Sequence, residues 1–238
     1  MSTAPITAET TVGEIVRVAP IRARILEKLG IDYCCGGKKT LADACRGKQL
    51  DVRTVAALLT AIDDAPAAAT PNPDALGLAA LCDHIEQVHH RFLREELPRL
   101  DFMTRKVAAV HGEHEPRLLE VRTVFDHFAG AMVTHTNEEE STVFPAIRQL
   151  DADALEAAAG RDALRTMLGK LEAEHDAAGA ALARLHELTD GFQPPEWACN
   201  TFRALYDGLE TLERKTHEHV HAENNILFPR ARANCGAV

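Results

Sequence analysis

The chain of 238 residues has the composition of an ordinary globular protein, with 46% hydrophobic and 26% charged residues. Its 26 basic and 36 acidic residues give a formal net charge of −10, which repels a phosphate backbone and argues against nucleic acid as a partner. No apolar run reaches the roughly 18 residues that a membrane span needs, and the amino terminus lacks an export signal. These features predict a soluble, cytoplasmic protein with no membrane contact.

The chain divides into two predicted domains of unequal length. Residues 63–73 carry three prolines in a polar, alanine-rich stretch that cannot continue a helix, so we interpret them as a linker. Residues 1–62 then form a small domain that is marginal in size for folding unaided, and residues 74–238 form the larger one. Both parts have helical patterning, and we expect an all-α protein.

Two adjacent cysteines, Cys34 and Cys35, distinguish the small domain. They lie between a helix that ends near Gly30, a residue type favoured just past helix ends, and a second helix that begins near Lys38. In a chain without an export signal they are expected to be free thiols. Lys38, Lys39 and the nearby helix start predict that the pair favours the thiolate form. The alternative is that both thiols are packed in the core of a very small domain.

The larger domain has the pattern of four long amphipathic helices. Apolar residues recur at three- and four-residue steps over four segments. The predicted helices cover roughly 74–108, 115–148, 160–189 and 197–231. Short connections between long amphipathic helices are typical of an antiparallel four-helix bundle, which is the fold that we expect here.

A repeated element lies on two of these helices. In both copies a glutamate follows a histidine by four residues, and a Phe-Pro pair begins five residues after the glutamate. Residues four apart share one face of a helix, so each copy directs an imidazole and a carboxylate the same way. The two copies are His135 and Glu139 ahead of Phe144-Pro145, and His219 and Glu223 ahead of Phe228-Pro229.

The apolar stripes of the helices run through these polar residues. Extending the stripe from Met132 reaches His135 and Glu139, and His175 lies on the stripe of the third helix. Burying such groups without partners is costly, and the usual resolutions are mutual pairing or a metal ion. Taken singly, His175 is more often a satisfied core residue, but the agreement of several helices favours a metal site.

The first helix offers three histidines, His84, His89 and His90, and the residues alone leave the choice open. His89 lies nearer the centre of the apolar stripe, and His84 lies at its edge. A duplicated helix pair, with one histidine ahead of each His/Glu helix, instead favours His84, because its distance in sequence to the repeat resembles that of His175.

Four imidazoles and two carboxylates suit two metal ions with both carboxylates bridging. Mixed nitrogen and oxygen ligation with open coordination positions favours iron, with manganese and zinc as alternatives. Ferritin-like di-iron bundles use Glu-x-x-His at a spacing of three, whereas here histidine precedes glutamate by four, so that class fits badly.

The His-x-x-x-Glu pairs, the single histidines on alternate helices and the Phe-Pro ends resemble the hemerythrin-like cation-binding bundle. Residues 29–41, which include Tyr-Cys-Cys-Gly-Gly, are similar to the short domain fused to that bundle in the Repair of Iron Centres family, the YtfE, ScdA and NorA group. The resemblance covers nearly the whole chain. It implies a non-haem di-iron centre with oxo and carboxylate bridges, and a role in restoring iron–sulfur clusters damaged by nitric oxide or oxidants. A homodimer is suggested by the resemblance alone.

The resemblance also assigns the ligands and marks one departure. His84 is preferred to His89 on this ground, because Asp83-His84-Ile85 ahead of Leu97-Pro98 matches the family pattern. Some members carry a glutamate one helical turn before the second-helix histidine, where this chain has Ala131, which puts any proton or iron route through that carboxylate in question. The six implied iron ligands are His84, His135, Glu139, His175, His219 and Glu223.

Three functions compete for this ligand set. The leading hypothesis is an iron donor for damaged iron–sulfur proteins, in which Cys34 and Cys35 pass the iron across, because a thiolate is both a soft iron ligand and a nucleophile. The alternative is an enzyme that reduces nitric oxide at the di-iron centre, although the chain lacks a Gly-x-Gly-x-x-Gly fingerprint for a nicotinamide or flavin. A sensor that binds nitric oxide or dioxygen reversibly would leave the adjacent cysteines unexplained.

Overall fold

The computed structural model describes residues 6–64, 72–151 and 158–236. Their regular structure is helical, apart from one isolated bridge between Thr11 and Thr40, which confirms the predicted all-α class. Across those three ranges, none of the helices combines the length and the apolar character that crossing a bilayer requires. Most of the predicted linker, residues 65–71, lies outside the described residues.

Two compact units make up the chain, and their bounds differ from the predicted domains. The first unit comprises Met1–Leu81 together with His217–Val238, and the second comprises Cys82–Thr216. The sequence-based division placed everything after residue 73 in one domain. The contacts instead group the carboxyl-terminal segment with the amino-terminal one.

Four short helices form the amino-terminal part of the first unit. Side chains cap three of them: Thr11 accepts from the N–H of Glu14, Thr40 from that of Asp43, and Asp51 from that of Thr54. The helices are α1 (Val12–Val18), α2 (Ala23–Lys28), α3 (Leu41–Gly47) and α4 (Val52–Ala61), with short 3-10 turns at Pro20–Arg22, Ile62–Asp64 and Pro73–Ala75.

The end of α2 follows the prediction, because Gly30 adopts a φ of 63°, the left-handed conformation that glycine tolerates at no steric cost. Beyond it, Tyr33 and Cys34 turn inward and join the apolar core of the unit with Leu26 and Leu41. Val220, from the carboxyl-terminal segment, belongs to the same core. The cysteine loop is therefore anchored in packed structure.

The remaining helices follow the four predicted segments, three of which are interrupted by one wider turn each. These π-helical turns are Glu86–His90, Glu139–Val143 and Glu223–Leu227. The α-helices are α5 (Leu78–Ile85), α6 (Arg91–His111), α7 (Arg117–Glu138), α8 (Phe144–Asp151), α9 (Ala158–Leu188), α10 (Asn200–Ala222) and α11 (Phe228–Asn234).

Helices α6, α7, α9 and the first part of α10 share one apolar core in the second unit. Phe125, Phe128 and Met132 of α7 pack there with Leu182 of α9 and Phe202 of α10. Ion pairs show that neighbouring helices are antiparallel. As the residue number rises along α6, that of its partner on α7 and the turn after it falls, and the same holds for α7 and α9. These pairs are Asp101 with Arg122, Arg94 with Glu140, Lys170 with Glu138, and Arg184 with Glu120.

Candidate metal centre

The three π-helical turns begin or end at residues of the candidate site. In each turn, the N–H of the residue that follows bonds to a carbonyl five positions earlier, where an α-helix would use the fourth. Each turn therefore accommodates one extra residue, which rotates the face that the rest of the helix presents. Proline at the second position of α8 and α11 has no N–H to donate, which favours a break in the regular ladder just before it. The bonds run from Arg91 to Glu86, Phe144 to Glu139 and Phe228 to Glu223.

Three predicted ligands of the second unit, His135, Glu139 and His175, converge at the first of the Phe-Pro turns. The Nε2 atoms of His135 and His175 lie 2.9 Å apart, and Nε2 of His135 lies 3.3 Å from Oε1 of Glu139. Their ligand atoms all lie within 4.8 Å of one another, and all three residues are buried. Neither oxygen of Glu139 accepts a hydrogen bond from the described part of the chain. A buried carboxylate in that state is stabilised by a nearby cation.

The first helix places His90 beside this carboxylate, whereas the resemblance assigned His84. His90 is fully buried, and its Nε2 lies 3.3 Å from Oε2 of Glu139. His84 is half-buried and packs edge-on against His89, with ring centroids 5.8 Å apart. The π-helical turn contributes to this choice: His89 and His90 are both buried, but the extra residue places His90, five residues after Ile85, beside Glu139, while His89 packs against His84.

The other ring nitrogen of His90 contacts a second carboxylate. Nδ1 of His90 lies 2.8 Å from Oε1 of Glu140, which also accepts a hydrogen bond of 2.6 Å from Arg94. Burial alone raises the pKa of Glu140, but the hydrogen bonds from Arg94 and His90 outweigh it and hold the pKa below its ordinary value. The charged carboxylate favours a proton on Nδ1, so Nε2 presents its lone pair toward Glu139.

His135 has an equivalent arrangement on the neighbouring helix. Its Nδ1 lies 2.8 Å from Oε2 of Glu174, and Nζ of Lys170 lies 3.4 Å from Oε1 of the same glutamate. Here too burial raises the pKa of the carboxyl group, and the contacts with His135 and Lys170 lower it overall. Such outer carboxylates are the usual way in which proteins orient metal-binding histidines.

The second copy of the repeat lies in the first unit. Nε2 of His219 lies 3.1 Å from Oε1 of Glu223, and both residues are buried. Glu223 begins its π-helical turn as Glu139 begins the other. The two copies therefore match in spacing, burial and backbone geometry.

Another face of the same segment holds the cysteine loop. Asn225 Nδ2 donates to the main-chain carbonyls of Tyr33 and Cys34, at 3.3 and 2.9 Å. The ring of His221 packs edge-on against Tyr33, with centroids 5.5 Å apart, and burial lowers the pKa of His221 to about 4. Asn225, which holds the loop, thus lies two positions after Glu223, and His221, which packs against Tyr33, lies two positions after His219.

In this loop Cys34 is buried and Cys35 is half-buried, with their Sγ atoms 3.9 Å apart. Cys34 Sγ donates a hydrogen bond of 3.2 Å to Oδ1 of Asp32. The hydrogen bond with Cys35, burial and the charge of Asp32 raise the pKa of Cys34 well above its ordinary value. The expectation that Lys38 and Lys39 favour the thiolate is therefore wrong for Cys34, since both lysines are exposed and act through solvent.

The sequence offered His90 as a candidate without choosing it, and it missed the groups that act around the donors, Glu140, Glu174 and Asn225. The repeated Phe-Pro ends do indicate a disturbed helix next to Glu139 and Glu223. The donors are nitrogen and oxygen atoms in a closed environment, a combination that suits first-row transition ions.

Comparison with known families gives two matches. A family model described as the hemerythrin HHE cation binding domain matches residues 83–231. A second model, ScdA_N, described as a domain of unknown function (DUF542), matches residues 8–63. The matched ranges cover the helices that carry the histidine and glutamate pairs and the helices that surround the cysteine loop.

Curated relatives align with almost the whole chain. The iron-sulfur cluster repair protein ScdA of Staphylococcus epidermidis is 33% identical over 228 residues, which cover 94% of this chain and 99% of that protein. The iron-sulfur cluster repair protein YtfE of Enterobacter sp. (strain 638) is 36% identical over 223 residues, covering 93% of this chain and 96% of that protein. YtfE of Escherichia coli O17:K52:H18 is 34% identical over 221 residues, with 93% and 96% coverage.

Proposed function

Because this chain belongs to the hemerythrin HHE cation-binding family and carries the ScdA_N domain ahead of that region, we propose that it is a di-iron protein of iron–sulfur cluster repair. Its clients are damaged iron–sulfur proteins, to which it donates iron. A cytoplasmic setting, in which thiols stay reduced, and a homodimer belong to the same proposal.

The buried carboxylate of Glu139 is the observation that carries the proposal. It is fully buried, takes no hydrogen bond from the described residues, and has an Nε2 atom of His90 and one of His135 at 3.3 Å. An isolated buried carboxylate is strongly unfavourable, and imidazole nitrogens that face it supply the remaining ligands for a cation. The donor set fits iron, which accepts mixed nitrogen and oxygen ligation.

The proposed ligand set differs from the sequence-based set at one position. His90 replaces His84, because His90 is the first-helix histidine that lies beside Glu139. Iron bound by these residues would supply labile ions for transfer, and coordination positions for diatomic molecules. The proposed ligands of the second unit are His90, His135, Glu139 and His175, and those of the first unit are His219 and Glu223.

Metal analysis of the anaerobically purified chain tests this centre. We expect about two iron ions per chain, and less than about half of that in Glu139→Gln, which keeps the shape of the side chain and removes its charge. Glu138→Gln is the matched control, because Glu138 lies one residue earlier and bonds to Lys170 at 2.5 Å. Equal iron content in wild type and Glu139→Gln would refute the proposed centre.

Transfer is tested separately from binding. Iron-loaded protein is mixed with the apo form of an iron–sulfur enzyme and a sulfide source, and recovered enzyme activity is followed. We expect Cys34→Ser/Cys35→Ser to restore less activity than wild type, and Cys199→Ser, at an exposed thiol elsewhere, to match wild type. Equal recovery by the double variant removes the thiols from the proposal. Gas evolution from nitric oxide with a reductant, without iron transfer, favours the alternative of a nitric oxide reductase.

A further inference from the structure

The loop that carries the adjacent cysteines brings three potential ligands together. The carboxylate of Asp32 and the Sγ atoms of Cys34 and Cys35 each offer one ligand atom, and these atoms lie within 4.8 Å of one another. The two sulfurs are 3.9 Å apart, and Sγ of Cys34 lies 3.2 Å from Oδ1 of Asp32. No histidine or glutamate of the metal centre described above belongs to this group.

These separations suit a single tetrahedral ion. A metal about 2.3 Å from each of two thiolates holds the sulfurs about 3.8 Å apart, and a carboxylate oxygen at about 2.1 Å lies about 3.5 Å from each sulfur. The distance between the two sulfurs, and that from Cys34 Sγ to Oδ1 of Asp32, are already within a few tenths of an ångström of those values. Little rearrangement is needed to close the site, which favours binding.

The loop backbone orients Asp32 toward the thiols. Oδ1 accepts hydrogen bonds from the N–H groups of Cys34 and Cys35, both at 3.0 Å, and Oδ2 accepts one of 2.9 Å from Gly36. A Cβ at Gly36 would lie 2.8 Å from the carbonyl oxygen of Asp32, so this tight turn requires glycine. A carboxylate has about four acceptor positions, and the loss of the Cys34 thiol proton, which now bonds to Oδ1, frees one of them for a metal.

The loop is also held from outside. Asn225 donates to the carbonyls of Tyr33 and Cys34, and the side chain of Tyr33 is itself buried and donates to Glu27 at 2.9 Å. The backbone of the loop at Tyr33 and Cys34 is thus held by Asn225, and the side chain of Tyr33 by Glu27. Sites built on supported elements hold their donors in the geometry that binding needs.

We propose that Asp32, Cys34 and Cys35 form a second metal site, for a single thiophilic divalent ion of the Fe²⁺ or Zn²⁺ class. The ion keeps its oxidation state on binding, the two thiols each release a proton to solvent, and the two thiolates and one carboxylate oxygen coordinate the ion. The fourth position stays open for water or for a thiolate of a client protein. This inference deepens the proposed function and rests on it, because the second site is the place from which iron passes to a client protein.

Titration of the reduced, full-length chain with Co²⁺ under anaerobic conditions tests the site. Charge-transfer absorption from thiolate to cobalt arises from sulfur ligands and not from histidine or glutamate, so it reports this site while Co²⁺ also fills the other centre. We expect the absorption to saturate at about one sulfur-bound ion per chain, and Cys35→Ser and Asp32→Asn to weaken binding by at least about tenfold.

Two controls isolate the assignment. Glu9→Gln removes the same charge from an exposed carboxylate elsewhere in the first unit, and Cys199→Ser removes a thiol elsewhere; both should retain wild-type absorption and affinity. Asp32→Asn retains an oxygen to accept from the loop N–H groups, and circular dichroism confirms its fold.

The inference is overturned if wild type gives no thiolate absorption, if the absorption survives in Cys34→Ser/Cys35→Ser, or if Asp32→Asn binds as tightly as wild type. These outcomes are independent of the repair assay. If thiolate absorption is absent but iron transfer is normal, the second metal site is refuted and the proposed function is not. If thiolate absorption is normal but no iron is transferred, the proposed function is refuted and the second metal site is not.

Discussion

Replacing Gly37 by alanine should displace Asn225 from the cysteine loop. A Cβ at Gly37 would lie 2.8 Å from Cγ and 2.9 Å from Nδ2 of Asn225, well inside contact distance. The amide cannot shift without loss, because Nδ2 donates to the carbonyls of Tyr33 and Cys34 at 3.3 and 2.9 Å. The methyl group therefore fits only if the asparagine side chain swings away and both hydrogen bonds break.

The expected cost follows from those two bonds. Each contributes about 1 kcal/mol net, and carbonyls left without a donor add to the loss, so Gly37→Ala should lower the free energy of unfolding by about 2–4 kcal/mol. Asn225→Ala breaks the same bonds and removes all three of the atoms nearest to the new methyl group. The double variant should therefore cost little more than Asn225→Ala alone, with an interaction energy of about 2 kcal/mol.

Urea unfolding followed by circular dichroism measures all three variants. Gly47→Ala is the control, because a Cβ there meets nothing within 4 Å, and it should change stability by less than about 1 kcal/mol. Alkylation of the cysteines by iodoacetamide should quicken in Gly37→Ala as the loop loosens. Strictly additive costs of Gly37→Ala and Asn225→Ala would refute the contact on which this reasoning depends.

Three further predictions concern other parts of the molecule. His90→Ala should reduce bound metal in the purified chain while His84→Ala leaves it near the wild-type level, and the reverse order would restore the sequence-based choice. Asp63→Ala should destabilise the first unit by about 3 kcal/mol in urea unfolding, because it strands the buried guanidinium of Arg22, whose Nε and Nη2 bond to Asp63 at 2.9 and 2.6 Å; a loss under about 1 kcal/mol would count against this pair. Burial raises the pKa of Tyr206 to about 12, so the folded state favours the neutral phenol. The free energy of unfolding should therefore keep this contribution in full below about pH 10 and lose up to about 2 kcal/mol as the pH rises to about 12. Tyr206→Phe should make the free energy of unfolding less dependent on pH in this range.

The sequence alone determined the helical class and most of the candidate donors. Helical periodicity is a local property, so the stripes through His135, Glu139 and His175 could be extended residue by residue into the core, and burial of all three agrees. The equal spacing of His219 and Glu223 followed from the same arithmetic. Gly30 also ended its helix as expected, because its conformational freedom acts within one turn.

The choice among the first-helix histidines was beyond sequence periodicity. The π-helical turn Glu86–His90 adds one residue to the helix, and a count in steps of three or four cannot detect it. The family pattern assigned His84 because it compares residues by their order in the sequence, and that order does not show the extra residue of a π-helical turn. Only the fold places His90 against Glu139 and Glu140.

The state of the cysteine pair was likewise decided by tertiary packing. Lys38 and Lys39 are neighbours in sequence, but water screens their exposed charges, whereas burial and the carboxylate of Asp32 act on Cys34 at contact distance. Asn225 lies 191 positions along the chain from Cys34, and no local pattern predicts that it holds the loop. Interactions within a short stretch of chain can be inferred from the order of its residues, whereas interactions between distant segments form only when the chain has folded.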